Sequence, residues 1–169
     1  MDKLIERILL NLQRQSLFDE TEKSKIMAFE VSVFLENKIT HFEKITSLLK
    51  KEGINIRTLT LNSLAHGWGT LNLLVDQPEK AYKVLADKGN SVTMHEVIAL
   101  EMKDETGGLD DLLVKITRSG IHIDSAYTRL ITENNLAILL LEVPDVLEAT
   151  RRLEINHVHI LDDKTVYGK

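Results

Sequence analysis

Two long segments of this chain begin with residues that alternate between apolar and polar. In both segments, apolar residues at helical spacing follow this alternation. From position 29 the apolar residues recur at every second place, which predicts a half-buried strand. After a short polar turn they recur at intervals of three and four, which predicts an amphipathic helix that Gly53 ends. The residues assigned to this first core are Phe29, Val31, Val33, Leu35, Phe42, Ile45, Leu48 and Leu49.

Two further strands follow this helix, near 54–63 and 68–75, and the sequence AHGWG forms the turn between them. Pro78 begins a second helix, which runs to Gly89. A short strand at 91–94 then leads directly into the next segment. The order of elements is therefore β-α-β-β-α-β, the split βαβ or ferredoxin-like arrangement.

The same order of elements returns in a second copy. The sequence of this copy matches that of the first at an offset of 67 residues, so that Gly120 corresponds to Gly53. The second copy has strands near 121–131 and 136–143, and Pro144 begins its second helix. We expect the sequence HVHI to close its sheet and the tail DDKTVYGK to fray. A repeat of this length exceeds a solenoid unit, so the predicted fold class is α+β, with two ferredoxin-like βαββαβ units in tandem. The second core is assigned to Ile98, Leu100, Met102, Leu109, Leu112, Leu113 and Ile116.

Ahead of the first copy, residues 2–16 carry an apolar stripe at helical spacing. The predicted organisation is an N-terminal amphipathic helix and tether at 1–26, a first domain at 27–94 and a second domain at 95–169. A domain of about 68 residues has a marginal core on its own. We therefore expect the two copies to share an interface through one extended sheet, and we expect a homodimer.

The composition excludes several functions that this fold supports. The chain has a net charge of −5 and no basic run, whereas nucleic-acid binding requires a basic surface. It has no cysteine for a thiolate metal site, and its aromatic content of 5% is low for an RNA-binding sheet. No segment has the roughly 20 apolar residues that span a bilayer. We expect a cytoplasmic protein without a cofactor, a metal, a nucleic-acid partner or a membrane partner.

Three stretches of sequence resemble the ACT-domain family. They are LENKITHFEKITSLLKKEGINIRTLTL and GTLNLLVDQPEKAYKVLADKG in the first copy, and DETGGLDDLLVKITRSGIHID in the second. The resemblance covers residues 28–161 and is to small tandem ACT proteins that bind amino acids, with the regulatory subunit of acetolactate synthase as a more distant relative. It implies a regulatory protein that binds a free amino acid between ACT units.

The resemblance also implies where the amino acid binds. In this family the ligand meets the turn between the first strand and the first helix, of pattern Asn/Asp-x-x-Gly, and the asparagine of a G-x-N-I stretch on a facing strand. A helix N-terminus suits a carboxylate, and glycine lets the backbone approach closely. The corresponding residues here are Asn37, Lys38, Ile39, Thr40 and Asn55 in the first copy, and Asp104, Glu105, Thr106, Gly107, Gly108, Leu109 and His122 in the second.

Neither copy matches the family's site completely. The first copy has Ile39 in place of proline and Thr40 in place of glycine, while the second has His122 in place of asparagine. One interpretation is that Thr40 and Glu43 form a capping box, so that the first copy binds no ligand.

The other interpretation is a hybrid site that combines the two copies. In it the turn of the second copy, with Asp104 and Gly107, meets Asn55 of the first copy. An amide or carboxylate oxygen would accept from the ammonium group of the ligand, and the helix N-terminus would bind its carboxylate.

Other polar residues are weaker candidates. An isolated pair such as His157 and His159 favours ordinary surface over a zinc site. His41 and His122 adjoin the suspected site, where solvent exposure is favoured over pH sensing. Trp68 is interpreted as a hairpin cap, with a lid over a ligand as the alternative. No catalytic triad or phosphate-cradling glycine loop occurs, so no enzyme activity is predicted.

The function that these patterns favour is allosteric and non-catalytic. An amino acid bound between the units would favour one packing over another, and the N-terminal helix would pass the change to a partner enzyme. The alternative, from a different class, is a protein-interaction module without a bound ligand, similar to the small subunit of acetolactate synthase.

Overall fold

The computed structural model describes residues 27–131 and 135–168 of the chain. The predicted helix at 2–16 and its tether lie outside the described residues. The strands are β1 (Met27–Glu36), β2 (Ile56–Ser63), β3 (Trp68–Val75), β4 (Ser91–Lys103), β5 (Ser125–Ile131) and β6 (Leu136–Glu142). The helices are α1 (Ile39–Lys51), α2 (Pro78–Asp87), α3 (Gly108–Ser119), α4 (Val146–Ile155) and α5 (Asp163–Tyr167), with a 3₁₀ turn at Ala65–Gly67.

The strands form one antiparallel sheet in the order β2-β3-β1-β4-β6-β5. β4 belongs to both ferredoxin-like units. One edge of β4 pairs with β1, from Ser91 opposite Phe34 to Ile98 opposite Met27, and the other edge pairs with β6 from Ile98 onward. The expectation of one extended sheet is therefore confirmed. The predicted domain boundary falls inside this 13-residue strand.

The second unit lacks a full fourth strand, so the prediction that HVHI closes its sheet is only partly right. Ile160 makes a single bridge to Leu100, and the N–H of Leu161 donates to the carbonyl of Ala99 at 2.8 Å. The physical reason is competition for the same edge of β4. Because β1 occupies that edge as far as Ile98, only its last residues remain available.

Helices α1 to α4 pack on one face of the sheet. Val92 and Met94 of β4 contact the core beneath α1 and α2, whereas Ile98 and Leu100 belong to the core beneath α3 and α4. All four residues occupy even positions of one strand, and alternate residues of a strand face the same side. The two cores are therefore neighbouring parts of one layer.

The predicted core of the second unit was too broad. Leu112 and Ile116 of α3 are buried, but Leu109 and Leu113 are 40% and 41% exposed. A helix that lies on a sheet buries a narrow line of residues four apart, and the adjacent line faces solvent. The assignment of Leu109 and Leu113 to the core is therefore wrong.

Residues 162–168 of the C-terminal tail form a capped helix, so the prediction that this tail frays is wrong for them. Residues 163–167 form α5, in which Val166 and Tyr167 are buried, and the carboxylate of Asp162 caps it by accepting from the N–H of Thr165 at 2.8 Å. With Leu161, these residues cover the face of the sheet opposite the other helices. A helix of five residues is too short to show helical periodicity in the sequence. Among the described residues, no helix is long and apolar enough to cross a membrane.

Candidate functional site

The first predicted turn follows β1 and is held against the hairpin between β2 and β3. The N–H of Asn37 donates to the carbonyl of Gly67 at 2.8 Å. Its side-chain Nδ2 donates to the Oγ of Ser63 at 3.2 Å. Asn37 therefore fixes the turn to the hairpin, and its side-chain oxygen has no partner among the described residues.

The second predicted turn follows β4 and depends on two glycines. Gly107 has a left-handed backbone, with φ of 91°, and a Cβ atom on Gly108 would lie only 2.2 Å from the carbonyl oxygen of Lys103. The N–H of Asp104 donates to the carbonyl of Asn135 at 2.9 Å, which fixes this turn to the hairpin between β5 and β6. Each turn is thus supported by the hairpin of its own unit.

Both turns carry an ion pair between residues two apart, with opposite polarity. Lys38 pairs with Glu36 in the first turn, and Lys103 pairs with Glu105 at 3.6 Å in the second. The hydrogen bond and charge of Lys38 hold the pKa of the Glu36 carboxyl below its ordinary value. These pairs lie at the surface, where they contribute little to stability.

Helices α1 and α3 begin at these turns without a side chain that caps them. Their N-cap residues are Lys38 and Gly107, whereas Asp145 and Asp162 cap α4 and α5 with carboxylate oxygens. Thr40 lies inside the first turn of α1 rather than at its N-cap, so the predicted capping box is wrong.

The missing caps leave backbone donors free at both helix starts. Among the described residues, no acceptor is present for the N–H groups of Ile39 and Thr40 in α1, or of Leu109 and Asp110 in α3. Two adjacent free N–H groups at a helix N-terminus suit a carboxylate. The first turn of α1 contains no acidic residue, whereas that of α3 contains Asp110 and Asp111. Because it has no acidic residue, the start of α1 is the electrostatically better site for an anion. The start of α3, with Gly107 and Gly108, leaves a ligand more room to approach the backbone closely.

Asn55 and His122, which the resemblance placed on the strands that face the ligand, lie in the loops that precede β2 and β5. The N–H of Asn55 donates to the carboxylate of Asp76 at 2.9 Å, and the N–H of Asp76 donates back to the carbonyl of Asn55 at 3.0 Å. The side chain of Asn55 is exposed. His122 is also exposed, and its Nε2 lies 3.5 Å from the carboxylate of Asp124.

The sheet register separates each turn from the strand residue of its own unit. Asn37 lies at the end of β1 and Asn55 before the start of β2, which is the opposite end of the sheet. Because β4 is antiparallel to β1, the turn with Gly107 lies at the same end as Asn55. Three strand spacings and about eight residues still separate these two, which corresponds to about 25–30 Å. One chain does not bring Gly107 and Asn55 together, so the hybrid site remains a prediction that requires a second copy.

A groove adjoins each turn at equivalent positions of the two units. The first has a volume of about 640 Å³ and the second about 520 Å³. The first groove contains Glu36 and His41, which flank the first turn, and the second contains Lys103 and Gly108, which flank the second turn. The first is also lined by Lys44, Leu48, Trp68 and Lys88, and the second by Asp111, Lys115, Arg118 and His157.

Sequence reasoning missed the groove residues on the helices. Lys44 in α1, and Asp111, Lys115 and Arg118 in α3, follow the turns at helical spacing, beside the buried stripe rather than within it. That spacing was present in the sequence, but only the position of the helix on the sheet shows that this flank faces a groove. Leu48, which the sequence assigned to the core, packs against that core and also lines the first groove.

Three of the remaining sequence candidates, Trp68, His159 and His41, have structural partners. Trp68 stacks on Phe34 with ring centroids 5.0 Å apart, which is compatible with the predicted hairpin cap. His159 lies 3.1 Å from the carboxylate of Glu101. His41 is half-buried, and its Nδ1 lies 3.3 Å from the carbonyl of Glu36. In the part of the chain that the structure describes, no group of three or more His, Asp or Glu residues is arranged for a metal.

Comparison with known proteins agrees with this architecture. A family model described as an ACT domain pair matches residues 26–167. The solved structure of protein BT0572 from Bacteroides thetaiotaomicron is similar, with a TM-score of 0.78 and 27% identity over 86% of this chain and 99% of the other. The ligand-free regulatory subunit of aspartate kinase from Thermus thermophilus has a TM-score of 0.55 and 10% identity over 78% of this chain and 93% of the other, so the likeness is in fold alone. No match was found among curated proteins.

Proposed function

Because this chain belongs to the family of ACT domain pairs, we propose that it is a non-catalytic regulatory protein that binds a free amino acid. The ligand would bind where the first turn of one unit meets a second copy of the chain. Its binding would change the packing of the copies and thereby the activity of a partner enzyme or regulator.

The observation that carries this proposal is the pair of uncapped helix starts beside grooves. In each unit, two adjacent N–H groups at the turn have no acceptor within the part of the chain that the structure describes. Helices α4 and α5 of the same chain are capped by aspartates, whereas α2, like α1 and α3, has no side-chain cap. Of these three uncapped starts, those of α1 and α3 adjoin the two grooves. The N–H groups would bind the carboxylate of the amino acid, which is typically worth about 0.3–1 kcal/mol and up to ~2 kcal/mol when partly buried.

The ammonium group requires an acceptor, and two arrangements supply one. In the first turn the side-chain oxygen of Asn37, which has no partner among residues 27–131 and 135–168, lies on the same turn as the N–H groups of Ile39 and Thr40. In the second turn Asp104 would take this role, together with Asn55 of another copy. Glu105, Thr106 and Gly108 would then shape the turn around the ligand.

A homodimer explains the exposed apolar residues around these turns. Ile39 is 77% exposed, Leu109 is 40% exposed, and both adjoin the free N–H groups. A second copy that covers them would exclude water from the ligand and strengthen the polar contacts. The ligand can transmit a signal only if it binds one arrangement of the two copies more tightly than another. The free energy that couples two sites in this way is typically about 1–3 kcal/mol. The N-terminal segment at 1–26 is the part we assign to contact with the partner enzyme.

A thermal-shift screen with the twenty amino acids tests the proposal, because a ligand that binds only the folded state raises the melting temperature. We expect one amino acid, or a small related group, to raise it. In calorimetry with that ligand, Gly107→Ala or Asn55→Ala should remove the heat of binding without changing the circular dichroism. Asn62→Ala, in the exposed part of β2, is the matched control and should bind normally.

A mixing experiment tests whether two copies build the site. If Gly107 and Asn55 come from different copies, Gly107→Ala mixed equally with Asn55→Ala should restore about a quarter of the wild-type sites, since half the dimers are mixed and each has one intact site. No recovery after subunit exchange would show that the hybrid site is not built across copies.

The same exposed residues also favour the alternative function, an interaction module without a ligand. In that case Ile39, Leu109 and Leu113 would contact a partner protein directly. A flat response to all twenty amino acids, together with loss of dimerisation or partner binding in Leu113→Ser, would favour this alternative.

A further inference from the structure

The first groove has an aromatic wall. It is lined by Phe34 and Trp68, whose rings stack in parallel with centroids 5.0 Å apart, and both rings remain half-exposed. Leu35, Ile45 and Leu48 supply further apolar surface to the same groove. Binding sites for small molecules combine apolar walls with a few polar groups that fix the orientation of the ligand. The first groove offers this combination, because polar residues of the first turn lie at its margin.

The groove at the equivalent place of the second unit is more polar. At an offset of 67 residues, Glu101 takes the place of Phe34, and Lys115 takes the place of Leu48. The carboxylate of Glu101 lies 3.1 Å from His159, so a polar contact involves the position that carries a stacked ring in the first unit. An apolar ligand placed here would remove water from these groups without replacing its hydrogen bonds. The two grooves therefore suit different ligands.

The aromatic wall is held close to the first turn. Glu36, the last residue of β1, lies opposite Trp68, and the N–H of Asn37 donates to the carbonyl of Gly67 at 2.8 Å. Opposite residues on neighbouring strands have Cβ atoms about 4.5–5.5 Å apart. An amino acid whose carboxylate binds the N–H groups at the start of α1 therefore has the first groove beside it for its side chain.

Two lysines narrow the choice of side chain. Lys44 and Lys88 both line the first groove, and their charges repel a basic ligand. They attract an acidic side chain, but the faces of the two stacked rings carry partial negative charge and disfavour a carboxylate. An aromatic side chain satisfies both walls, because ammonium groups are attracted to the face of a ring and rings attract one another.

We propose that the first groove binds the side chain of an aromatic amino acid and that the second groove does not. This inference rests on the proposed function, because it takes the carboxylate of the ligand to bind at the turn after β1. The ring of the ligand would extend the stack of Phe34 and Trp68 in an offset or edge-on arrangement. The effector is thus a molecule like phenylalanine, and each chain provides one groove for it.

The chain contains a single tryptophan, Trp68, so tryptophan fluorescence reports directly on the first groove. Phenylalanine does not absorb at the long-wavelength edge where tryptophan is excited, and titrating it into the full chain should change the emission to saturation. Calorimetry with phenylalanine should give the dissociation constant. Leucine should bind about two- to tenfold more weakly, because it has no ring to stack. Aspartate should bind more weakly than leucine.

Two variants test the wall, and two others are matched controls. Phe34→Leu keeps an apolar side chain but breaks the stack, and it should weaken phenylalanine binding about two- to tenfold. Leu48→Lys gives the first groove the residue of the second, and it should weaken binding about tenfold or more. Tyr82→Leu removes a half-exposed ring that lies outside the groove, and Lys115→Leu changes only the second groove. Both controls should bind phenylalanine as wild type does.

Circular dichroism shows which variants fold, and Phe34→Leu carries the test if Leu48→Lys does not, because Phe34 is half-exposed. The inference is overturned if leucine binds as tightly as phenylalanine, or if Phe34→Leu binds as tightly as Tyr82→Leu. A heat of phenylalanine binding without a change in Trp68 emission would also overturn it, since the ligand would then lie elsewhere.

The thermal-shift screen separates this inference from the proposed function. If only non-aromatic amino acids raise the melting temperature, the aromatic assignment fails and the proposed function stands. If none of the twenty raises it, both fail. A rise with phenylalanine that Leu48→Lys loses and Lys115→Leu keeps supports both.

Discussion

The hydroxyl of Tyr127 in β5 donates a hydrogen bond to the carboxylate of Glu30 in β1. Glu30 is only 5% exposed, and the two residues belong to different ACT units with two strands between them. The bond crosses the sheet on the face that α5 covers, next to the apolar contacts of Tyr167. This hydrogen bond joins the two units within a region where their other contacts are between apolar residues.

Replacing Tyr127 by phenylalanine should therefore destabilise the protein. The ring remains, but the buried carboxylate of Glu30 loses its donor, which costs about 1–3 kcal/mol. Urea unfolding of Tyr127→Phe measures this loss. The control is Tyr82→Phe, because Tyr82 is 40% exposed and has no hydrogen bond among the described residues. Equal stability of the two variants would show that the bond contributes nothing.

The pH dependence of stability should reveal the burial of Glu30. Burial raises the pKa of Glu30 above its ordinary value of 4.5, and the charge of Glu142 adds to this, while the Tyr127 bond and His95 oppose it. The folded state therefore holds this proton more tightly than the unfolded state does. Stability from Glu30 is full below pH 4.5 and falls as pH rises through the folded pKa. Glu30→Gln should become progressively more stable relative to wild type across that window, as followed by urea unfolding at several pH values. A constant difference would contradict this.

The C-terminal helix should contribute substantially to stability. Tyr167 is buried against the sheet, and its hydroxyl accepts a hydrogen bond from the N–H of Phe29 at 2.7 Å. Tyr167→Ala removes a large aromatic group and should cost about 3–5 kcal/mol in thermal or urea unfolding. Lys164→Ala in the same helix is exposed and should change stability little. A similar small effect for both substitutions would mean that α5 is dispensable.

Because Asp145 caps its helix and Thr40 does not, replacing these two residues by alanine should change the stability of the protein by different amounts. Thr40→Ala should cost much less than a cap, because Thr40 is not the N-cap of α1. Asp145→Ala should cost about 0.5–2 kcal/mol, since its carboxylate accepts from the N–H of Glu148. Chemical denaturation of the two variants side by side gives the comparison. A larger loss for Thr40→Ala would show that the threonine does cap its helix.

The turn after β4 should tolerate no side chain at Gly108. A Cβ atom there would lie 2.2 Å from the carbonyl oxygen of Lys103, so the turn must move, and we expect a cost of about 1–3 kcal/mol or more. Amide chemical shifts of residues 103–108 should change. Gly89→Ala is the control for backbone strain alone, because Gly89 has a φ of 80° and no atom within 4 Å of its Cβ position. If Gly108→Ala unfolded no more readily than Gly89→Ala and kept wild-type shifts, the close approach would be disproved.

Most of the strands and helices could be located from the sequence, but the way in which they pack against each other could be predicted less well. Alternation located β1, and helical spacing located α1 and α3, because burial of one face leaves a periodic trace in the residues. The same spacing assigned Leu113 to the core although it is exposed, since the width of the buried line depends on how the helix lies on the sheet. The short helix around Tyr167 left no periodic trace at all.

The candidate site shows the same division. Resemblance to the family pointed to the two turns, and the absence of a cap at Lys38 and Gly107 emerged only from the backbone geometry. The distance between Gly107 and Asn55 depends on the register of four strands, which no local pattern specifies.

By itself, the sequence determined that two similar α+β units follow each other, that they lack cysteine chemistry, and which residues form their turns. These properties follow from local spacing and composition, which each segment carries independently. Only the tertiary structure decided that both units share β4, that β1 displaces the fourth strand of the second unit, and that α5 covers the remaining face. The reason is that strands compete for the same hydrogen-bonding edge, and the outcome depends on contacts between residues far apart in the chain.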